Sequence, residues 1–461
     1  MIAFILAIII MILAISKYNI HPFLSILTVS VIFGIIGGIP LVKTGKVLGI
    51  ADVVSAGFAG TFNSIGIVII MGALVGALLE KTGAALKMAD CVVRLVGKNN
   101  TSLAVLIMGW IVSIPVFCDS GFVILNPIRK ALVRRTHASG VATAVAMSMG
   151  LYITHCFIPP TPGPIAAANT IYEGMQMDTN LILVIAMGAC ASILPMIAAY
   201  FYANYIGGKI KTKEEKTMEA GETGEMTETY EELMKSYGEL PSAFMSFAPI
   251  IVPILLMALS SAMNMAGNKI PIVTFLGTPI IAISVGVLLG ILLFASRPME
   301  DKAKAFYELT NETLKVCGPI LFITAAGGVL GKVIASTNMV AFIKANSTTL
   351  AGLGIFFPFI LSAILKTAQG SSTVAITTTA GIMAPLMTTL GLGTPILAAV
   401  TVIAIGAGAM TVSHANDSYF WVVTNFGDME VKDGYRAQTF GTFVTGLAAM
   451  LNVYIIYLFV R

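Results

Sequence analysis

The stretch Cys118-Asp119-Ser120-Gly121-Phe122 places a carboxylate inside an apolar segment that is flanked on both sides by basic residues. A charged side chain in the hydrocarbon core costs at least ~3 kcal/mol by insertion scales, so it persists mainly where it serves a site. A second interrupted segment, Lys366-Thr-Ala-Gln-Gly-Ser-Ser-Thr373, occurs in the other half of the chain. Two such segments in matching halves predict re-entrant hairpins of the kind found in secondary transporters.

The composition is typical of a polytopic membrane protein. Of the 461 residues, 57% are apolar and 11% are charged, whereas soluble domains carry about 25% charged residues. The net charge of +4 is small and the basic residues fall in loops, so no nucleic-acid partner is expected. The five cysteines form no Cys-x-x-Cys pair and are interpreted as packing residues, and we expect neither a metal nor a cofactor.

The length of the apolar runs predicts an all-α polytopic membrane protein with about ten full spans. These spans are placed at 1–16, 22–40, 62–79, 138–172, 181–206, 244–264, 272–295, 316–334, 396–425 and 438–460. Polar residues and glycines interrupt two further segments, 103–127 and 350–395, which we interpret as re-entrant hairpins. Polar breaks inside 138–172 and 396–425 predict two broken helices.

The distribution of lysine and arginine supports the hairpin interpretation of 103–127. If the loop at 80–102 is cytoplasmic and 103–127 returns to the same side, most basic residues fall on the inside, as cytoplasmic loops require. A full crossing would instead put two strongly basic loops on opposite sides of the membrane. The hairpin topology predicts that both chain termini are extracytoplasmic.

Three sequence matches in the same order predict that the halves 1–206 and 244–461 are inverted repeats. The matched pairs are 66–78 with 318–330, 113–121 with 362–370, and 154–155 with 413–414. The segment 207–243 between the halves is polar, with acidic and basic residues mixed. It is therefore predicted to be a cytoplasmic linker, partly helical or disordered.

Four polar breaks, two hairpin tips and two helix breaks, mark the candidate site. Unwound backbone at membrane depth is tolerated where it is buried in protein or lines a wet cavity. Helices that restart after Gly121 and Gly370 would aim free N–H groups at the tips and create anion sites. The candidate substrate-binding residues are Ser120, Gly121, Thr161, Gly370, Ser371, Ser372, Thr373, Asn416 and Ser418. A carboxylate on a polyhydroxylated chain suits this lining, as does a small amino acid; the alternative for each hydroxyl is a bond to a helix carbonyl.

Four titratable side chains at the breaks are candidates for proton coupling: Asp119, His155, His414 and Asp417. A carboxyl group in an apolar setting can hold a proton near neutral pH, and histidine titrates there without perturbation. The alternative is a structural pair, for example Asp119 with a histidine or with Lys366. The remaining histidines lie at loop edges and are assigned no function.

These motifs resemble those of the gluconate permease (GntP) family of bacterial proton symporters. The resemblance rests on Cys118-Asp-Ser-Gly-Phe122, His155-Cys-Phe-Ile-Pro-Pro-Thr-Pro-Gly-Pro164, Ala368-Gln-Gly-Ser-Ser-Thr373 and Ser413-His-Ala-Asn-Asp-Ser418, and it covers essentially the whole chain. It implies proton-driven uptake of gluconate or a related sugar acid across the inner membrane. Some members carry D-serine or other small hydroxy acids, which are the alternative substrates. The wider ion-transporter superfamily implies a dimeric scaffold and a transport domain that moves as an elevator.

Three other functions remain open from sequence. Sodium-coupled uptake is disfavoured because neither tip has the Ser-Asn-Thr sequence usual in the superfamily. A membrane-embedded metal hydrolase would use the four titratable residues as ligands, but no His-Glu-x-x-His spacing occurs. A channel fits poorly with dead-end anion sites that carry titratable groups. The expected partners are therefore the acid substrate, protons, membrane lipid and a second copy of the chain.

Overall fold

The computed structural model describes residues 6, 7, 9–11, 13, 14, 17, 18, 20–45, 47–96, 100–136, 138–213, 215, 239–265, 270–298, 301–337, 353–414 and 417–461. Within these residues the regular elements are all helical, and the only extended pairing is an isolated bridge between Thr44 and Val47. The prediction of an all-α fold is thereby confirmed. The predicted span at 1–16 and the linker at 207–243 lie largely outside the described residues.

The helices of the first half are α1 (Pro22–Ile36), α2 (Ile50–Lys81), α3 (Ala84–Val96), α4 (Thr101–Val112), α5 (Cys118–Thr136), α6 (Gly140–Phe157), α7 (Pro162–Gly174), α8 (Leu181–Ala191) and α9 (Ile193–Gly207). Those of the second half are α10 (Ala243–Met265), α11 (Pro271–Leu276), α12 (Pro279–Ser296), α13 (Lys302–Ser336), α14 (Phe356–Gln369), α15 (Ser372–Met383), α16 (Pro395–Met410), α17 (Ser418–Phe426), α18 (Val431–Gly434) and α19 (Phe440–Val460). A 3-10 turn follows α15 at Ala384–Leu386, and a π turn at Tyr435–Thr439 leads into α19.

The helix lengths are those of a multi-pass membrane protein. Among the described residues, six helical stretches are long and apolar enough to cross a membrane, and one bent pair makes a seventh. The bent pair joins Gly66–Lys81 to Ala84–Val96 at 73°, and Gly83 between them has φ +76°, a conformation that glycine adopts without strain. The total of ten spans stays a prediction.

Two helices are longer than the spans predicted from sequence. The predicted span 62–79 belongs to α2, and the predicted span 316–334 belongs to α13. An acidic side chain stabilises the start of each helix: Asp52 accepts from Gly49 N at 3.0 Å, and Asp301 accepts from Lys304 N at 3.0 Å. The first sequence match thus falls within a pair of long helices that pack along each other.

The segment 80–102, predicted as a loop, is instead mostly the amphipathic helix α3. Its Asp90 is buried and accepts from Lys87 at 3.2 Å and from Arg94 at 2.9 Å. These i,i+3 and i,i+4 ion pairs stabilise α3. The same charged residues led the sequence interpretation to place a loop here.

Both hairpins are present, but the first one turns earlier than predicted. Helices α4 and α5 are joined at 113–117, where Ser113 Oγ donates to Val116 O at 3.0 Å. The stretch predicted as the tip, 118–122, is therefore the first turn of α5. Helices α14 and α15 meet at Gly370 as predicted. In the sequence match of 113–121 with 362–370, the turn residues 113–117 are therefore aligned with residues inside helix α14. The two matched segments do not have the same local structure.

The predicted helix breaks separate α6 from α7 and α16 from α17. Around them, α2, α10, α12 and α13 pack together, as do the hairpins, the broken helices, α9 and α19, and the two groups are joined by extensive packing of α13 on α15 and of α2 on α7. Glycines allow close approach within and between the groups. A Cβ on Gly76 would lie 2.2 Å from Pro115 O, and one on Gly408 would lie 2.2 Å from Phe359 O. The first contact seats the turn of the first hairpin on α2.

Candidate functional site

A cavity of about 510 Å³ lies where both hairpins and the second helix break meet α13 and the start of α1. This volume is within the range of small-molecule sites. Its lining is Phe117, Cys118, Asp119 and Ser120 from the first hairpin, 370–374 from the second, Asp417, Ser418 and Tyr419 from the second break, Tyr152 and His155 from α6, and His21, Pro22, Val316, Pro319 and Ile323.

Most of the residues predicted from sequence line this cavity, and three of the described ones do not. Gly121 packs inside α5, where a Cβ would lie 2.7 Å from Leu151 Cδ2. Thr161 is buried in the first break and donates to Ile158 O at 2.7 Å. The His414 ring turns away from the cavity, with Nε2 3.0 Å from Thr367 O. Asn416 lies outside the described residues.

The second hairpin tip presents the start of a helix to the cavity. Ser371 is the N-cap of α15, and its Oγ accepts from Val374 N at 3.3 Å. The first N–H groups of a helix have no acceptor within the helix, and they carry the positive end of its dipole. Because Ser372 and Thr373 occupy this first turn and line the cavity, their end of α15 can receive an anion.

The first hairpin tip presents a carboxylate instead. Asp119 lies in the first turn of α5, where a negative charge is stabilised by the helix dipole. Its Oδ1 accepts from Ser418 Oγ at 3.4 Å, and the side chain lines the cavity. The two helix starts that the sequence predicts as equivalent anion sites therefore differ, since α5 carries its own anion.

An ion pair lies beneath the second tip. Lys366 Nζ is 2.6 Å from Asp417 Oδ2, and the lysine side chain is 0% exposed. The same Nζ donates to Gly370 O, and it lies 5.7 Å from the centre of the Tyr152 ring. The sequence alternative of a structural pair with Lys366 is thus realised, but by Asp417 and not by Asp119.

His155 is buried between aromatic rings next to the second tip. Its ring is stacked on Tyr152 at 6.4 Å and tilted against Phe117 at 6.1 Å, measured between ring centres. His155 Nε2 is 3.5 Å from Thr373 Oγ1, whereas Nδ1 has no hydrogen-bond partner among the described residues. The imidazole therefore contributes a polar edge at the helix start that can receive an anion.

Sequence reasoning missed several residues of the cavity wall. His21 was placed at a loop edge, but it is the N-cap of α1, with Nδ1 accepting from Phe23 N at 3.3 Å, and it faces the cavity. A histidine directly before Pro22 is a signal for a helix start. Tyr152 and Tyr419, whose rings are 5.1 Å apart, gave no signal because both lie in apolar runs.

A second, smaller cavity adjoins the first. Its volume is about 270 Å³, and it shares Phe117, Ser120 and Val316 with the larger cavity. It extends along α2 and α13 to Glu80 and Lys81 at the end of α2. The two cavities are therefore neighbours at the first hairpin, and the smaller one reaches the end of α2.

Comparison with known proteins gives concordant matches along the chain. A family model described as GntP family permease matches residues 1–459. An uncharacterized permease of Haemophilus influenzae is 32% identical over 431 residues, which cover 92% of this chain and 84% of that protein. A gluconate permease of Zymomonas mobilis is 27% identical over 96% of this chain and 95% of that protein. The solved structure of the Alcanivorax borkumensis YdaH transporter has a TM-score of 0.65 at 13% identity, covering 96% of this chain and 99% of that one, and shows a shared fold.

Proposed function

Because this chain belongs to the GntP family of permeases, we propose that it takes up gluconate or a related sugar acid across the inner membrane together with protons. Membership in a permease family also disfavours the metal-hydrolase alternative. The observation that carries the proposal is the cavity, which is lined by the carboxylate of Asp119 at the first hairpin and by the N-terminal start of α15 at the second.

The substrate carboxylate binds at the start of α15 in this proposal. Backbone N–H groups of Ser372 and Thr373 and the hydroxyl groups of 371–373 are its ligands, which is the arrangement that anions favour at helix N-termini. His155 and Ser418 lie on the same cavity wall and are assigned to the hydroxyl groups of the substrate. The volume of about 510 Å³ accommodates a six-carbon acid with water.

Asp119 is the proposed proton carrier. Ionised Asp119 and the substrate carboxylate would share one cavity and repel each other through a medium less polar than water. A proton on Asp119 removes this repulsion, so proton binding and substrate binding strengthen each other to the same extent. His414 does not line the cavity, and Asp417 is held by Lys366, so neither is assigned a proton.

Alternating access would move the group of helices that holds both tips against α2 and α13. The smaller cavity leads to Lys81, in a segment predicted to be cytoplasmic, so we assign this structure to an inward-facing state. Extracytoplasmic termini, an elevator motion, contact with lipid and a homodimer belong to the same proposal.

D-serine is a second candidate substrate. Its carboxylate would bind at the start of α15 as gluconate does, and its ammonium group would lie near Asp119, the carboxylate on the opposite tip. A substrate ammonium paired with Asp119 would compete with the proton, so uptake of D-serine should depend on the proton gradient less than uptake of gluconate.

The test is uptake of labelled gluconate into proteoliposomes that contain the purified protein, with an inward proton gradient and no sodium. Concentrative uptake that an uncoupler collapses is the expected result. Uptake that appears only after sodium is added would overturn proton coupling, and transport of D-serine but not gluconate would overturn the substrate assignment.

A further inference from the structure

Lys366 is an unexpected residue at its position in the hairpin. It lies in the last turn of α14 and is completely buried. A buried cation persists only when partners replace its lost hydration. The described partners are the Gly370 carbonyl oxygen and Asp417 Oδ2. The lysine therefore connects the tip of the second hairpin to the second helix break.

The bond to Gly370 bears directly on the tip. Gly370 ends α14 with φ +80°, and its carbonyl group immediately precedes the N-cap Ser371. A carbonyl oxygen carries partial negative charge and would repel an anion at the start of α15. Lys366 donates a hydrogen bond to this oxygen and offsets its partial negative charge. The partial positive charges of the N–H groups at the start of α15 are then available to an anion.

Asp417 is fully engaged on the other side of the pair. Its Oδ2 accepts from Lys366 and from Ser413 Oγ, each at 2.6 Å. Its Oδ1 accepts from Tyr419 N at 3.1 Å and thereby caps α17. Removing the charge of either partner would leave the other charge buried and unpaired, which is strongly unfavourable.

Other titratable groups interact electrostatically with this pair: Asp119, His155, Cys118, Cys156, Tyr152 and Tyr419. Asp119 differs from Asp417 in its bonding, since the hydrogen bond from Ser418 to Asp119 is long, at 3.4 Å. We propose that Lys366 is a positioning residue whose permanently charged pair with Asp417 sets the second tip for anion binding and takes no part in proton transfer. This inference rests on the proposed transport function and specifies how its substrate site is held.

A double-mutant cycle of thermal stability tests the pairing of Lys366 with Asp417 in the absence of any substrate. The variants are Lys366→Gln, Asp417→Asn and the double variant, with melting temperatures measured in detergent at pH 5 and pH 8. Each single variant leaves a lone buried charge and should melt on the order of 5 °C lower, whereas the neutral double variant should recover most of this loss. Lys315→Gln is the control, because Lys315 pairs with Glu312 at the surface and should shift melting by less than about 1 °C.

The difference in melting temperature between the wild type and the double variant should be the same at both pH values if the pair stays charged. A difference that changes between pH 5 and pH 8 would overturn the permanently charged pair. A double variant no more stable than the weaker single variant would overturn the pairing itself.

Transport by the same variants tests the positioning role. In proteoliposomes, each single variant should lose at least ~10-fold in gluconate counterflow, and the double variant should regain part of it. Proton-driven accumulation by the double variant should persist and remain sensitive to an uncoupler. Counterflow without proton-driven accumulation would identify Asp417 as a proton carrier and overturn the proposal. If the wild-type protein transports no gluconate, the proposed function fails. The melting temperatures of the variants still show whether Lys366 and Asp417 form a charged pair.

Discussion

Each hairpin joins two helices at a turn, but the two tips carry opposite chemistry. Asp119 lies in the first turn of the outgoing helix α5, so a carboxylate lies at the positive end of that helix. Lys366 lies in the last turn of the incoming helix α14, and the start of α15 is left to hydroxyl and N–H groups. A shared hairpin outline therefore does not impose the same charges. In the proposed account, one tip binds the proton and the other binds the anion.

The largest effect is expected when the second tip is given the same negative charge as the first. Thr373→Asp would place a second carboxylate at the start of α15, where the substrate carboxylate is proposed to bind. Like charges about 4 Å apart repel by about 4 kcal/mol at a protein surface, so gluconate affinity should fall at least ~100-fold. Calorimetric titration of the purified protein with gluconate checks this loss.

Thr373→Asn is the matched control, because it has nearly the same size and no charge. It should retain affinity within about tenfold of the wild type. Equal losses in the two variants would mean that packing, and not charge, sets the affinity of the second tip.

The turn residues offer a second comparison. Gly370 has φ +80°, so Gly370→Ala strains the second tip by about 1 to 2 kcal/mol, and gluconate affinity should fall by about tenfold. Gly121 is helical, and a Cβ there meets only the end of the Leu151 side chain. Gly121→Ala should therefore change affinity less than about threefold. Gluconate binding curves for both variants show which one loses more affinity. A larger loss in Gly121→Ala than in Gly370→Ala would contradict the assigned turns.

The two histidines at the helix breaks give the smallest expected effect. His155 lies beside Thr373, whereas His414 faces Thr367 outside the cavity. His155→Gln should weaken gluconate binding by about fivefold, the effect of losing one hydrogen bond of about 1 kcal/mol to a substrate hydroxyl group. His414→Gln should leave binding within about twofold of the wild type. Competition assays with labelled gluconate distinguish the two, and equal effects would refute the asymmetric site.

Local signals predicted the helix breaks and the second tip. Pro162 cannot continue a preceding helix, and Gly370 adopts a positive φ that other residues avoid, so both mark a break without help from distant residues. The turn of the first hairpin was misplaced by several residues because its position depends on the fit of Pro115 against Gly76. That contact joins two segments that only the folded structure brings together.

The charge assignments needed the structure for the same reason. Asp119, Asp417 and His155 are equally polar interruptions in the sequence, and nothing local distinguishes their partners. Lys366 and Asp417 are 51 residues apart, and they pair because the second hairpin packs against the second break. Helix α3 was missed because its charged residues hid an amphipathic pattern.

The most direct test of the account uses Asp119→Asn in proteoliposomes, with gluconate counterflow and proton-driven accumulation measured on the same preparation. Asp52→Asn is the control, since Asp52 is an exposed acid that caps α2 far along the chain from either tip. Asp119→Asn should exchange gluconate but accumulate none on a proton gradient, while the control should do both. Full proton-driven accumulation by Asp119→Asn would contradict the assignment of the first tip to the proton.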